Sequence, residues 1–327
     1  MPDIEYRTAQ ALWYQSPGQA ELRPCVPPDT TGGLVRVRSS FGAISRGTEA
    51  LVYHGRVPVR EYDRMRAPFQ EGHFPFPVKY GYATVGTVTE GPDGLAGCSV
   101  FCLYPHQTEF TVPREAVTRL PETVPPSRAV LAANMETAVN AVWDAELQAG
   151  QTVSVVGAGV VGLLIGYVAS TLFNSPVDMI DTDPGKAEAA AALGMPFTAP
   201  ENAQSDRDTV FHASATSPGL ATALRLCRFE GIVVEASWYG DASVTVPLGE
   251  DFHSRRLTIR STQVGTVAPL KRSTMRHADR LAYSLSLLDN PALDVLFNRD
   301  IDFGSLPAAL PDLFAAGSGV LCPRIIY

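Results

Sequence analysis

Charge is sparse in this 327-residue sequence: Lys and Arg number 26, Asp and Glu 34, together 18% of the chain. The balance is −8 at pH 7, and an acidic surface does not neutralise a phosphate backbone, so nucleic acid is excluded as a main partner. Cysteine is scarce and odd in number: Cys25, Cys98, Cys102, Cys227 and Cys322 are scattered. That excludes a disulfide framework and fits a reducing cytoplasm. The opening MPDIEYRTAQAL lacks a basic stretch followed by an apolar run, so no export leader is expected. Repeats of solenoid period are missing as well. What is plentiful is apolar residues, 45% of a chain long enough for two domains.

Residues 152–173 form 22 positions without a charge, the length of a membrane span. Their internal punctuation argues for something else. TVSVV is β-branched, then Gly157, Gly159 and Gly162 follow in the spacing G-x-G-x-x-G, and an apolar helix runs to Phe173. Gly157 permits a tight turn, Gly159 lets a pyrophosphate approach the backbone, and Gly162 lets helix pack on strand. The helix start offers free N–H groups to phosphates. A second strand, VDMI at 177–180, ends at Asp181, 24 residues after Gly157. A carboxylate there accepts hydrogen bonds from both ribose hydroxyls and repels a 2′-phosphate, which selects NAD over NADP. Asp181 also suits a cap for the following helix, and the two roles are compatible.

Before this stretch the chain is β-rich: LVRVRSS (34–40) and YATVGTVTE (82–90) alternate, and 97–113 reads as strands with turns. A partly open β-barrel is expected. Between them, 56–78 carries Pro58, Pro68, Pro75 and Pro77 with Arg56, Arg60, Arg64 and Arg66, a loop whose arginines face either solvent or an acidic substrate. Beyond it, a helix is expected over 126–147. After Asp181, strands at 209–214, 231–240 and 257–265 alternate with helices at 186–193 and 218–227, the signature of a doubly wound parallel sheet. A helical stretch (270–290), a strand (297–304), a helix (306–317) and a strand (320–327) close the chain. The fold class is therefore α/β, with 1–128 and 268–327 assigned to the barrel domain and 129–267 to the dinucleotide-binding domain.

This order, with ISRGTE (44–49), GYATVG (81–86), GCSV (97–100), VVGAGVVG (155–162), DTDPGK (181–186) and RRLTIRSTQVG (255–265), resembles the medium-chain dehydrogenase/reductase superfamily over essentially the whole chain. SRGTE, CLYPHQ (102–107) and SRRLTIRSTQVG are similar to the branch that includes 2-desacetyl-2-hydroxyethyl bacteriochlorophyllide a dehydrogenase. The resemblance implies a GroES-like barrel with a Rossmann domain, a small-molecule substrate, and a homodimer formed through the edge strand near 257–263. It carries Gly157, Gly159, Gly162 and Asp181 over to the dinucleotide, and Lys186 to the same ribose.

At the catalytic zinc site of that superfamily the sequence departs. Arg46 stands for the Cys, Tyr82 for the His and Ala83 for the Glu of the ligand strings, no ligand occurs near Ala132 and Ala133, and Leu51 stands for the relay His. Thiolate, imidazole and carboxylate are what zinc takes, so no zinc is expected. Hydrogen-bond donors are left to hold the substrate oxygen. Thr48 at the relay-hydroxyl position is the first candidate and Tyr82 the second; Glu49 orients Thr48 or Arg46, or starts a helix. Arg46 meets a cofactor phosphate or a substrate carboxylate. His106, Asn134 and Glu136 lie in segments that the resemblance turns toward the cleft. Ser214 and Gly240, after two parallel strands, are expected at the nicotinamide ribose. His54, His73, His212, His253 and His277 show no clustering.

The expected activity is zinc-independent, NAD-dependent hydride transfer with a secondary alcohol or ketone, a hydroxyethyl-bearing tetrapyrrole if the narrow resemblance holds. An NADPH-dependent quinone or enone reductase and a non-catalytic dinucleotide-binding protein stay open as alternatives.

Overall fold

The computed structural model describes residues 8–92 and 94–327. The first seven positions, on which the reading about export partly rests, lie outside them. Strands β1 to β9 are Ala9–Ser16, Gln19–Cys25, Leu34–Ala43, Glu71–Gly72, Val78–Lys79, Thr84–Glu90, Ser99–Cys102, Glu109–Pro113 and Val117–Arg119. Helices α1 to α3 are Arg46–Tyr53, Pro126–Ala129 and Ala132–Asp144. There follow β10 (Val153–Val156), α4 (Val160–Phe173), β11 (Val177–Ile180), α5 (Ala187–Ala192), β12 (Phe197–Thr198), β13 (Arg207–His212), α6 (Ser217–Leu226), β14 (Cys227–Glu235), β15 (Thr258–Ser261) and α7 (His277–Ser286). The chain closes with β16 (Arg299–Asp302), α8 (Leu306–Phe314) and β17 (Pro323–Ile326).

Two compact units result, 1–133 with 297–327, and 134–296. In the first, β2-β1-β5-β4 form one sheet and β16-β17-β3-β6-β7-β9 another, with β8 also paired to β3. The alternation in LVRVRSS puts Val35 and Val37 inward, against Val88, Val100, Phe110 and Val112. Full burial of side chains of this size contributes about 1.5–3 kcal/mol each. The 56–78 stretch is held by its own charges: Arg64 pairs with Glu61 at 2.9 Å, and Arg66 donates to the carbonyls of Gln70 and Gly72.

In the second unit a six-stranded parallel sheet has the order β12-β11-β10-β13-β14-β15. Every residue of β10 is buried, as expected of a parallel strand covered on both faces. The helix α4 ends at Asn174 in the left-handed conformation, φ 49°, which a short polar side chain tolerates.

Two expectations shift. The helix anticipated over 126–147 is interrupted, because Leu131 N–H turns tightly onto the Arg128 carbonyl at 3.0 Å. Residues 268–296, assigned from sequence to the barrel domain, lie in the second unit. The reason is Arg280, buried in α7, which donates to Glu136 Oε1 at 3.0 Å, to Asn140 Oδ1 at 2.5 Å and to the carbonyl of Val264. A buried guanidinium needs such partners, and all of them belong to the same unit.

Candidate functional site

In the second unit, the turn after β10 carries the three glycines. Gly157 has φ +111°, and a Cβ there would lie 2.6 Å from the Ser214 backbone nitrogen. At Gly162 a Cβ would come within 1.9 Å of the Gly157 carbonyl oxygen, so the helix lies directly on the turn. Gly159 differs: nothing is within 4 Å of a Cβ placed on it. It is the N-cap of α4 and no side chain caps that helix. An open approach to an uncapped helix start suits a pyrophosphate.

Asp181, at the end of β11, closes one side. Its Oδ2 accepts from Ala158 N–H at 2.7 Å and from Lys186 Nζ at 2.9 Å, and its Oδ1 from Asp183 N–H at 2.9 Å. A carboxylate oxygen accepts two hydrogen bonds, so Oδ1 retains capacity for a ligand hydroxyl. Lys186 is thus brought to Asp181, and Asp183 rather than Asp181 caps the short turn at Pro184–Lys186. The residues present fit a dinucleotide.

At the ends of β13 and β14 the register pairs His212 with Glu235. His212 Nδ1 lies 2.7 Å from Glu235 Oε2, and Nε2 lies 2.7 Å from Ser214 Oγ, itself 3.0 Å from Thr216 Oγ1. Glu235 also accepts from Ser237 N–H at 2.8 Å and from Tyr239 OH at 3.0 Å. Burial alone would raise the Glu235 pKa, but the hydrogen bonds from His212 and Ser237 outweigh it and the net shift is downward. Tyr239 is driven up by burial and by Glu235. The sequence reading left His212 unclustered; that is corrected here. Its partners stand at alternating positions, 212 and 214 on one strand end, 235, 237 and 239 on the next, and that spacing was the available signal. Gly240 follows in a turn with φ +62°.

In the first unit, Glu49 is fully buried in α1. It accepts from Tyr14 OH at 3.0 Å and from the backbone N–H of Ser45, the N-cap, at 2.8 Å, and its Oε2 lies 2.8 Å from His106 Nε2. Its recorded partners are therefore not Thr48 or Arg46, and the helix-start role is the one its geometry displays. His106 is buried as well, with Nδ1 unpartnered among the described residues. Tyr82 is half-buried, with the side chains of Ser45 and Thr48 in hydrogen-bond range of its hydroxyl. Burial, then the Glu49 charge, push its pKa up to about 12. The structure thus brings Thr48 and Tyr82 together. Arg46, expected at a phosphate or carboxylate, donates instead to the carbonyls of Leu313 (2.7 Å), Ala315 (3.2 Å) and Val320.

Among the described residues no three His, Cys, Asp or Glu side chains are grouped to hold a metal. Arg46, Tyr82 and Ala83 at the ligand positions do not fit zinc.

No family model matches the chain. D-xylulose reductase A from Aspergillus niger is 30% identical over 155 residues, 42% of this chain and 43% of the relative, so the match spans less than half of either protein. Over 98% of the chain the fold matches that of solved dehydrogenases, a GroES-like domain with a Rossmann unit. L-Idonate 5-dehydrogenase from Escherichia coli K-12 MG1655 aligns with a TM-score of 0.80 at 15% identity, covering 98% of both chains. A short chain alcohol dehydrogenase from Escherichia coli CFT073, complexed with NADH, aligns with a TM-score of 0.76 at 15% identity, covering 98% of this chain and all of that one.

Proposed function

We propose that the chain is a medium-chain dehydrogenase/reductase that works without zinc and transfers a hydride between NAD(H) and a secondary alcohol or ketone. The observation that carries this reading is the glycine turn of the second unit, where the open approach at Gly159 adjoins a carboxylate, Asp181, with acceptor capacity to spare. The reductase it resembles in part of its sequence and the dehydrogenases it resembles in fold support the alcohol and ketone chemistry.

Bound nicotinamide supplies the hydride acceptor or donor. The chain's own residues do the rest. The glycine turn and the start of α4 hold the pyrophosphate, Asp181 takes a ribose hydroxyl, and Lys186 steadies the Asp181 side chain through its hydrogen bond. Ser214 and Gly240 line the nicotinamide ribose. Thr48 and Tyr82 bind the substrate oxygen as hydrogen-bond donors, a task that suits a phenol which keeps its proton up to about pH 12. Glu49 and His106 are a buried support beneath α1. SRGTE, CLYPHQ and SRRLTIRSTQVG support a bulky hydroxyethyl-bearing tetrapyrrole as substrate.

Two further features belong to this reading. Among the described residues the outer strand β15 has no partner on its far edge, which supports a homodimer formed there; light scattering at micromolar concentration tests it. Five free cysteines support a reducing, cytoplasmic setting.

Fluorescence titration with NADH and NADPH tests the cofactor. Saturable NADH binding, at least tenfold tighter than NADPH, is the expected result; a preference for NADPH would turn the reading to a quinone or enone reductase. Binding without turnover of alcohols, ketones, quinones or enones would leave a nucleotide-binding protein.

A further inference from the structure

The chain Glu235–His212–Ser214 has a proton order dictated by its acceptors. Glu235 is held as a carboxylate by hydrogen bonds that lower its pKa, and a carboxylate only accepts. His212 Nδ1, 2.7 Å away, therefore carries the proton and donates it. An imidazole that carries one proton and donates it at Nδ1 has Nε2 as a bare acceptor. Ser214 Oγ, 2.7 Å from Nε2, spends its single proton on that nitrogen. Thr216, 3.0 Å from Ser214 Oγ, consequently donates to it. Ser214 is left with one free lone pair, on a residue that is only half-buried.

We propose that Glu235 and His212 are positioning residues that make Ser214 an obligate hydrogen-bond acceptor, so the group bound there is a donor: a ribose hydroxyl of the nucleotide. This rests on the dinucleotide reading above. The fixed polarity favours a hydroxyl and disfavours a phosphate oxygen, which has no proton to give.

The structure also supplies a substitution that reverses the polarity without changing the shape. Ser237 N–H donates to Glu235 Oε1 at 2.8 Å. In Glu235→Gln that N–H holds the amide carbonyl in place, so the NH2 group takes the Oε2 position and donates to His212 Nδ1. The imidazole proton then moves to Nε2 and is donated to Ser214, whose own proton is freed. Ser214 is then released from its acceptor-only state, and its proton is free for the ligand or for Thr216 Oγ1, 3.0 Å away.

Nitrogen-15 NMR of the histidine-labelled full chain reads the tautomer, and calorimetry reads NAD+ affinity. His212 is expected as the Nδ1–H tautomer in the parent and Nε2–H in Glu235→Gln. NAD+ binding should weaken about tenfold in the variant. An NAD+ analogue with the nicotinamide ribose 2′-hydroxyl removed, and a second with the 3′-hydroxyl removed, identify the group. One of the two should bind both proteins alike. An Nε2–H tautomer or an imidazolium in the parent at neutral pH would overturn the proton order. A flipped tautomer with unchanged NAD+ affinity, together with no loss of affinity for the parent from removing either ribose hydroxyl, would overturn the ligand assignment. Should the parent bind no nucleotide, the dinucleotide reading and the ligand assignment fail together, while the tautomer still decides the proton order.

Discussion

Asp181 Oδ2 accepts the backbone N–H of Ala158 at 2.7 Å, which ties the end of β11 to the middle of the glycine turn after β10. The side chain expected to grip the ribose thus also fixes the loop that cradles the phosphates. Asp181→Asn cannot satisfy this arrangement, since Oδ2 faces two donors and Oδ1 a third. Wherever the new NH2 group goes, it meets an N–H. Urea denaturation should show a loss of about 1–3 kcal/mol, together with weaker NADH binding in a fluorescence titration.

Gly159→Ala and Gly162→Ala should separate binding from folding. Space is open around a Cβ at 159, whereas at 162 it would overlap the Gly157 carbonyl oxygen at 1.9 Å. The first variant is expected to melt near the parent temperature and lose nucleotide affinity about tenfold or more. The second should be strongly destabilised or insoluble.

Tyr82→Phe removes one donor from the proposed substrate-oxygen site. The expected result is a fall in kcat/KM on the order of a hundredfold with NADH affinity unchanged. Because the phenol is pushed up to about 12, it stays protonated throughout ordinary assays, and the parent's rate profile should show no basic limb due to Tyr82 below about pH 10.

Glu49→Leu leaves Tyr14, Ser45 N–H and His106 without their acceptor in a fully buried site. Loss of one member of such a buried cluster costs about 3–5 kcal/mol, measurable by chemical denaturation. Tyr14→Phe, which removes one donor and leaves the carboxylate two, should cost about 0.5–1.5 kcal/mol.

Glu235 has its pKa lowered on folding from an ordinary value of 4.5. The folded state binds fewer protons there, so this stabilisation is fully present above the ordinary value and is lost as pH falls through the folded one. Thermal melts of the parent between pH 6 and 3 should show a decline to which Glu235 contributes. In Glu235→Gln that contribution is missing, and the decline should be shallower.

What the sequence displayed was local. Three glycines within six positions and an acid at a strand end lie on one continuous strand, turn, helix and strand, and each stands where the spacing put it. What it hid was carried by pairs far apart in the chain. Arg280 and Glu136 are 144 positions apart, and their contact moves 268–296 from one unit to the other. His212 and Glu235 stand on different strands, 23 positions apart, and become neighbours only through the parallel register. The zinc-ligand positions were legible as substitutions, but that Arg46 would bond to main chain 267 positions away was not.

That last contact constrains how the tail of the protein can vary. Among the described residues Arg46 reaches carbonyl oxygens at 313, 315 and 320, so the identities of the residues there are free to drift while their spacing is not. One residue inserted between Ala315 and Val320 would move the third acceptor away from the other two, and that arm of the clasp would be lost with every side chain still in place.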